Sequence, residues 1–271
     1  WDSVAAGWQK WWKTLENGAH NVSEKLVTLA EVRQGQRVLD IATGIGEPAL
    51  TAARAVGSNG QIIATDISPQ MLAIGIERAR SEGLKNVEFR EGDAELLNLP
   101  NSFFDAVICR WGLMFLPDLS GALKRIHKSL VPGGRLSAAV WAHPSKVPFI
   151  DLPMTVVRKQ LNLPQSPQGI PGPFSLADLN TFQNSLQQAG FTDIHSESVK
   201  VTFEFDSPDE YITFVQEIAA PVNMMLAKET EGRKKEIWSA IADQVKLLYR
   251  DSHTGHAKFD NESICVVGRR K

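Results

Sequence analysis

A chain of 271 residues with 43% hydrophobic content is long enough for one large domain, or for one domain carrying a sizeable insertion. A formal net charge of −2 gives no general pull toward nucleic acid or anionic membrane, and no apolar run approaches the length of a membrane span. The two cysteines, Cys109 and Cys265, stand far apart in apolar runs, which reads as buried thiols of a reducing cytoplasm rather than a disulfide. The chain opens at Trp1 rather than Met, so residues are expected to precede it.

In chain order, residues 22–32 read as a helix. Arg37–Ile41 is a short apolar strand, followed by a helix over 48–56. Gln61–Asp66 is a second strand, followed by an amphipathic helix over 69–81. Val87–Glu91 and Phe104–Arg110 are strands three and four. A helix over 118–130 then leads through the strong turn Val131-Pro132-Gly133-Gly134 to a fifth strand at Leu136–Trp141. This alternation predicts a parallel sheet covered by helices, and the near-continuous apolar strands fit burial on both faces.

The pattern changes at residue 143. His143–Phe174 holds seven prolines and no clear period, so it reads as a loop-rich insertion. Leu176–Ala189 is a helix stopped by Gly190, and Phe191–Phe205 can supply one long strand. Helices at roughly 208–220 and 229–250 follow, and Ser263–Gly268 is the last strand. Helices lying between the last two strands are expected to form a lid at the sheet edge. No internal repeat or low-complexity tract is evident.

The first strand runs into Asp40-Ile41-Ala42-Thr43-Gly44-Ile45-Gly46-Glu47-Pro48. A strand, a glycine loop and a helix start in that order bring bare backbone against a small cofactor at the carboxyl edge of a parallel sheet. Gly44-x-Gly46-x-x-Ala49 also satisfies the dinucleotide fingerprint, and Asp66 lies about where its ribose carboxylate belongs. The glycines alone therefore leave a nicotinamide-dependent oxidoreductase open. The strand-end acids separate the readings. Asp40 precedes the glycines, where a dinucleotide strand is usually apolar, and an acid there suits a cationic group such as an α-amino group. Asp66 ends strand two, where it can accept from both ribose hydroxyls. Asp93, with Ala94, ends strand three, where it can meet an adenine amino group. Any one of these acids alone reads equally as a helix cap or loop acid; three in succession form a constellation. A Tyr-x-x-x-Lys pair or catalytic cysteine pair for the oxidoreductase is not evident.

These residues resemble the class I S-adenosylmethionine methyltransferases, and in particular the ubiquinone/menaquinone C-methyltransferase (methyltransferase type 11) family over residues 1–142. Asp2-Ser3-Val4-Ala5-Ala6-Gly7-Trp8 resembles that family's N-terminal segment, which usually has Tyr where this chain has Trp8. Val38 to Gly46 resembles its first motif and Ala64 to Leu72 its second. Asn98 to Asp105 and Leu130 to Leu136 resemble later ones. The resemblance implies a Rossmann-like, doubly wound, mostly parallel seven-stranded α/β sheet with an inserted helical lid. It implies three parts: an N-terminal helical segment at 1–34, a cofactor-binding core at 35–142, and a substrate-side part at 143–271 with its lid at about 207–252. It implies S-adenosyl-L-methionine as cofactor. The methionine moiety would lie near Asp40 and the loop Ala42, Thr43, Gly44 and Gly46. The ribose would lie on Asp66, with Ile67 and Met71 flanking the adenine and Asp93 and Ala94 at its edge. Arg110 and Trp111 would lie beside the sulfonium. Apart from the resemblance, Trp8 and Trp12 share a face if helical and are expected to close over the sulfonium by cation–π contact. Beyond residue 142 the chain departs from the quinone C-methylases, so their substrate does not carry over.

The acceptor is expected to be a lipophilic or aromatic small molecule, methylated at C, O or N. Trp8, Trp11, Trp12, Trp111, Met114, Phe115, Met224 and Met225 would make an adaptable apolar pocket, although they suit core packing equally. Positioning can supply up to roughly 7–11 kcal/mol of such a reaction, and a general base helps where the acceptor carries a proton. His143, at the carboxyl end of strand five, is the first candidate base, and His20 the second. His127 reads as part of a solvated helix face. His253-x-x-His256 has no third ligand in sight, so no metal is expected. A protein that binds the cofactor without chemistry is the remaining alternative. Oligomeric state is unread.

Overall fold

The computed structural model describes residues 1–164 and 169–271. The part of the expected insertion at 165–168 lies outside the described residues. Seven strands form one sheet among them: β1 (Arg37–Ile41), β2 (Gln61–Asp66), β3 (Val87–Glu91), β4 (Phe104–Arg110), β5 (Leu130–Trp141), β6 (Thr192–Phe205) and β7 (Ala257–Arg269). Their order is β3-β2-β1-β4-β5-β7-β6, with β1 to β5 parallel and β7 antiparallel to both neighbours. This is the expected mostly parallel, doubly wound sheet.

Burial on both faces explains the apolar strands. Val38, Ile62, Ala64, Ala106 and Ile108 share one core with α3 (Ala49–Val56). Leu39, Ile63, Val107 and Cys109 point to the other face and share a larger core with α2 (Trp12–Leu29). The period-two alternation thus sorts side chains between two hydrophobic layers instead of between core and water. Helix α2 starts well before residue 22, directly after α1 (Ala5–Lys10). The chain breaks at Trp11, so Trp8 and Trp12 lie on different helices, yet both pack against Met71 and Ile45. The turn at 131–134 survives inside β5 as a bulge: Leu130 pairs with Phe104, and the ladder resumes at Arg135 with Ala106.

Two expectations for the second half need correction. The stretch read as loop contains α6 (Pro148–Gln160). Pro148 sits at its first turn, where proline suits a helix. Pro153 lies inside it and lacks the N–H that would bond the Phe149 carbonyl one turn back. The buried Tyr211 hydroxyl donates to that carbonyl instead, at 2.7 Å. A tertiary bond has replaced the missing helical one, which no local pattern could disclose. The lid region also holds three helices rather than two: α8 (Pro208–Ile218), α9 (Ala220–Leu226) and α10 (Glu231–Leu248).

Strand β7 begins at Ala257, six residues before the expected start. Its first half pairs with β6, bridges Arg250 at Ala257, and overshoots the carboxyl edge of the parallel strands, where Trp141 of β5 meets Ser263. Phe203, Phe205 and Phe259 of this overhang pack with Phe149, Tyr211 and Phe214, with ring centroids 4.3–6.4 Å apart. That aromatic box anchors α6 and α8 beyond the carboxyl edge. The other helices are α4 (Pro69–Ser81), α5 (Leu119–Ser129) and α7 (Leu179–Gln188). No helix among the described residues is long and apolar enough to cross a membrane.

Candidate active site at the switch point of the sheet

Strand order reverses between β1 and β4, which opens a crevice at their carboxyl ends. Two residues there adopt left-handed backbone without being glycine: Ala42 after β1 (φ 56°) and Trp111 after β4 (φ 60°). Such conformations cost about 1–3 kcal/mol and persist where the surroundings over-determine them. Here the Thr43 N–H bonds Thr65 O and the Trp111 N–H bonds Ala139 O, both at 2.9 Å, which pins each turn to its neighbouring strand. Gly112 lets the two turns meet: a Cβ there would lie 2.5 Å from that of Ala42 and 2.8 Å from Cys109 Sγ. Gly44 (φ +56°) has nothing within 4 Å of where a Cβ would sit, so the loop presents bare backbone to open space.

Asp40 is fully buried under this loop. Its Oδ2 accepts the Ala49 N–H at 3.0 Å and so starts α3, while Oδ1 has no hydrogen-bond partner. Burial raises its pKa to about 8, against the opposing pull of the Thr43 side chain, Arg110 and the Ala49 N–H. Thr43 Oγ1, near enough to Asp40 to favour its ionised form, and Trp8 Nε1 are likewise buried without a hydrogen bond of normal length and angle. Unpaired buried polar atoms are uncommon and mark groups that await a ligand or water. Asp40 thus offers a buried acceptor, and Trp8, packed against the cluster that holds Ile45 of the glycine loop, a buried donor.

Asp66 is preorganised differently. Its Oδ2 accepts the Gly44 N–H at 2.8 Å and its Oδ1 the Ser68 N–H at 2.9 Å. Burial raises its pKa, opposed by the N–H groups of Ser68, Gly44 and Ile67. Each oxygen keeps a second lone pair, so the carboxylate can still accept a pair of hydroxyls. Ile67 beside it is 55% exposed, an apolar face with no internal partner. Met71 is buried in a cluster with Val4, Ala5, Ile45 and Ile74. Asp93 accepts the Glu95 N–H at 2.9 Å, and both Asp93 and Ala94 are half-buried after β3.

Arg110 does not face open space. Its guanidinium donates to Ser23 Oγ at 2.8 Å and to Glu16 Oε1 at 3.2 Å, both on α2. Arg78 of α4 donates to the Ile45 carbonyl at 2.8 Å and lies 4.0 Å from both Glu16 and Glu47. Burial and Glu16 raise the Glu47 pKa, against Arg110, Thr51 and Arg78. This buried network clamps the glycine loop to the N-terminal helix. Glu16, Glu47 and Arg78 escape sequence reasoning because each is an ordinary charged helix or loop residue until the fold brings them together. Trp111 stacks on Trp141 at 4.1 Å, and its Nε1 donates to Ser263 Oγ at 3.0 Å. Trp141 and Ser263 were also illegible, being a strand-end aromatic and a small polar residue on another strand.

His143 lines a cleft of about 1480 Å³ walled by α6, α9 and residues 169–175, and its Nδ1 lies 2.9 Å from Ser145 Oγ. His20 lies on the exposed face of α2, paired with Glu24 at 3.0 Å, and is not among the residues lining this cleft. The structure therefore does not bring His20 to the site. His256 pairs with Glu204 at 2.9 Å, and no metal-ligating cluster occurs among the described residues. Both cysteines are buried, with thiols pushed up to about 12 by that burial.

A glycine loop, strand-end acids and a switch-point crevice on this strand order define a nucleoside-cofactor site of the methyltransferase kind. The chain belongs to the ubiE/COQ5 methyltransferase family, whose model matches residues 1–162. The ubiquinone/menaquinone biosynthesis C-methyltransferase UbiE of Coxiella burnetii (strain RSA 493 / Nine Mile phase I) is 32% identical over 149 residues, 55% of this chain and 56% of that protein. UbiE of Serratia proteamaculans (strain 568) is 35% identical over 149 residues, 54% of this chain and 59% of that protein. The chain thus spans little more than half the length of these relatives. Among solved structures, the YcgJ protein of Bacillus subtilis matches 93% of this chain and 99% of its own at TM-score 0.59 and 17% identity. Haemonchus contortus phosphoethanolamine N-methyltransferase 2 in complex with S-adenosyl-L-methionine matches 93% of this chain and 53% of its own at TM-score 0.56 and 21% identity. The [4+2]-cyclase SpnF matches 92% and 81% at TM-score 0.55 and 22% identity. At these identities the likeness is one of fold, and the fold serves more than one chemistry.

Proposed function

We propose that this chain transfers a methyl group from S-adenosylmethionine to a lipophilic small molecule at the crevice between β1 and β4. The observation that carries the reading is the buried, unpartnered Asp40 Oδ1 beneath a loop that offers bare backbone at Gly44. A bound ammonium would satisfy that oxygen and convert a desolvation cost into a charge-assisted hydrogen bond. Asp66 would hold the ribose, Ile67 would cover one face of the adenine, and Asp93 with Ala94 would meet its edge. Thr43, Gly44 and Gly46 would supply loop contacts, and Trp8 would meet the carboxylate.

The cofactor supplies an activated methyl group, so the chain's task is placement and exclusion of water. The stacked Trp111 and Trp141 give a rigid apolar wall beside the crevice, fixed by Ser263. Arg110 is held toward α2 by Glu16 and Ser23, and Glu16 offsets part of its charge. In this reading residues 35–142 bind cofactor, residues 1–34 cover it, and residues 143–271 hold the acceptor. His143 would accept the proton of an acceptor that carries one, because it lines the acceptor cleft and follows β5 at the carboxyl edge.

Calorimetric titration with S-adenosylmethionine and NAD, followed by transfer of label from methyl-tritiated cofactor into a lipophilic metabolite extract, tests the proposal. Binding of S-adenosylmethionine with label transfer supports it. Binding of NAD alone would sink it, and cofactor binding with no transfer to any extract would leave a binding protein.

A further inference from the structure

The acceptor cleft has a direction. Asp151, Met154, Thr155, Arg158 and Lys159 all line it. Spacings of three and four residues put them on one face of α6, so the cleft runs along the helix rather than across it. Asp151 to Lys159 spans eight residues, about 12 Å of wall at the helical rise. One end lies toward His143, which precedes α6, and the other toward the helix C-terminus. The facing surface is apolar, from Phe174, Pro221 and Met225 to Ile170 and Met224, which remain 53% and 77% exposed.

Charge is uneven along this wall. The two acids of the cleft are engaged internally. Asp151 accepts from Thr155 Oγ1 at 3.3 Å. Asp178 caps α7, accepting from the Asn180 N–H at 3.1 Å and from Thr181 Oγ1 at 2.6 Å. Two cations, Arg158 and Lys159, occupy the last turn. Lys159 is exposed, and its ammonium makes no hydrogen bond or ion pair among the described residues. Basic residues in a last turn ordinarily answer the helix dipole. These two differ in lining the same cleft as an apolar wall about two turns long.

We infer that the acceptor is an elongated amphiphile whose far end carries a carboxylate or a similar anion. Its apolar body lies between α6 and α9, the anion meets Lys159 and Arg158, and the reacting atom lies at the opposite end, toward His143. The inference deepens the methyl-transfer reading of the same cleft, and it is that reading which makes the ligand an acceptor.

The test uses the whole chain and three probes of equal length: dodecanoate, dodecanol and dodecyltrimethylammonium, each titrated below its micellar concentration. S-adenosylmethionine is titrated in parallel. Dodecanoate is expected to bind more tightly than the other two by about tenfold, the size of one partly exposed charge-assisted contact. In the double variant Arg158→Gln, Lys159→Glu the preference should vanish, with affinity for S-adenosylmethionine unchanged. Equal binding of the three probes, no dodecanoate binding, or a preference that survives in the variant would overturn the inference. The two readings fail separately. A dodecanoate preference without S-adenosylmethionine binding removes methyl transfer and leaves the anion site. The converse result removes the anion site alone.

Discussion

Replacing Tyr211 with Phe should destabilise the fold through one atom. The Phe149 carbonyl lacks its regular helical bond in α6, because residue 153 is proline and has no N–H to give. It accepts the Tyr211 hydroxyl at 2.7 Å instead, in a site where both residues are buried. Removing the hydroxyl leaves a buried acceptor without a donor, which costs about 1–3 kcal/mol. The ring stays, so the aromatic packing against Phe259 and Phe205 is retained. For a chain of this size, that loss lowers the melting temperature by roughly 2–4 °C per kcal/mol. Pro153→Ala supplies the missing N–H in the helix itself. The cost of Tyr211→Phe should therefore shrink in the Pro153→Ala background, a coupling read from four thermal unfolding curves. A Tyr211→Phe variant within about 0.5 kcal/mol of the parent would refute the reasoning. So would an equal cost in both backgrounds.

Asp66→Ala should weaken S-adenosylmethionine binding by about 1–3 kcal/mol, since it strips an acceptor from the ribose and leaves the Gly44 and Ser68 N–H groups without theirs; unchanged calorimetric affinity in a folded variant would place the ribose elsewhere. Asp40 makes the ligand-free protein sensitive to pH. Its folded pKa of about 8 lies above the unfolded carboxylate value, so the folded state holds the proton longer. Its burial costs nothing below about pH 4, costs increasingly more as pH rises to about 8, and is constant above that. Asp40→Asn should flatten this decline in melts taken from pH 5 to 8, and a slope identical to the parent's would contradict it. Cofactor binding near pH 7 should release a proton as an ammonium ionises Asp40, seen as an enthalpy that depends on buffer ionisation heat; no buffer dependence would argue against that pairing. His143→Ala should lower kcat by about 10²–10⁴-fold with cofactor affinity unchanged if the acceptor loses a proton; a full rate across the pH range would leave positioning alone.

Strands β1, β2, β4 and the second half of β5 were legible in sequence because burial on both faces leaves apolar runs, whereas β3 is largely exposed and alternates Val87 and Phe89 with charged residues. The location of the crevice followed from the same pattern. What the residues do there was less legible. Arg110 reads as a cation beside the cofactor, yet α2 supplies Glu16 and Ser23 from nearly ninety residues away, and a single sequence has no signal for such a pairing. Met71 keeps the right spacing for an adenine contact, and its packing with Val4 and Ala5 of the N-terminal segment likewise had no local signal. Helix α6 was hidden by its prolines, since the Tyr211 hydroxyl that compensates Pro153 lies on another helix. The cleft was invisible for a related reason: α6 and the segment 169–175 just after it meet α9, which lies far along the chain.

Crystallography of the protein with S-adenosylhomocysteine tests the central claim most directly. The account predicts density at the carboxyl ends of β1, β2 and β4, with an ammonium within hydrogen-bond distance of Asp40 Oδ1, ribose hydroxyls on Asp66, and the sulfur facing the Trp111–Trp141 wall. Density away from the Gly44 loop, or an empty crevice at saturating ligand, would contradict it.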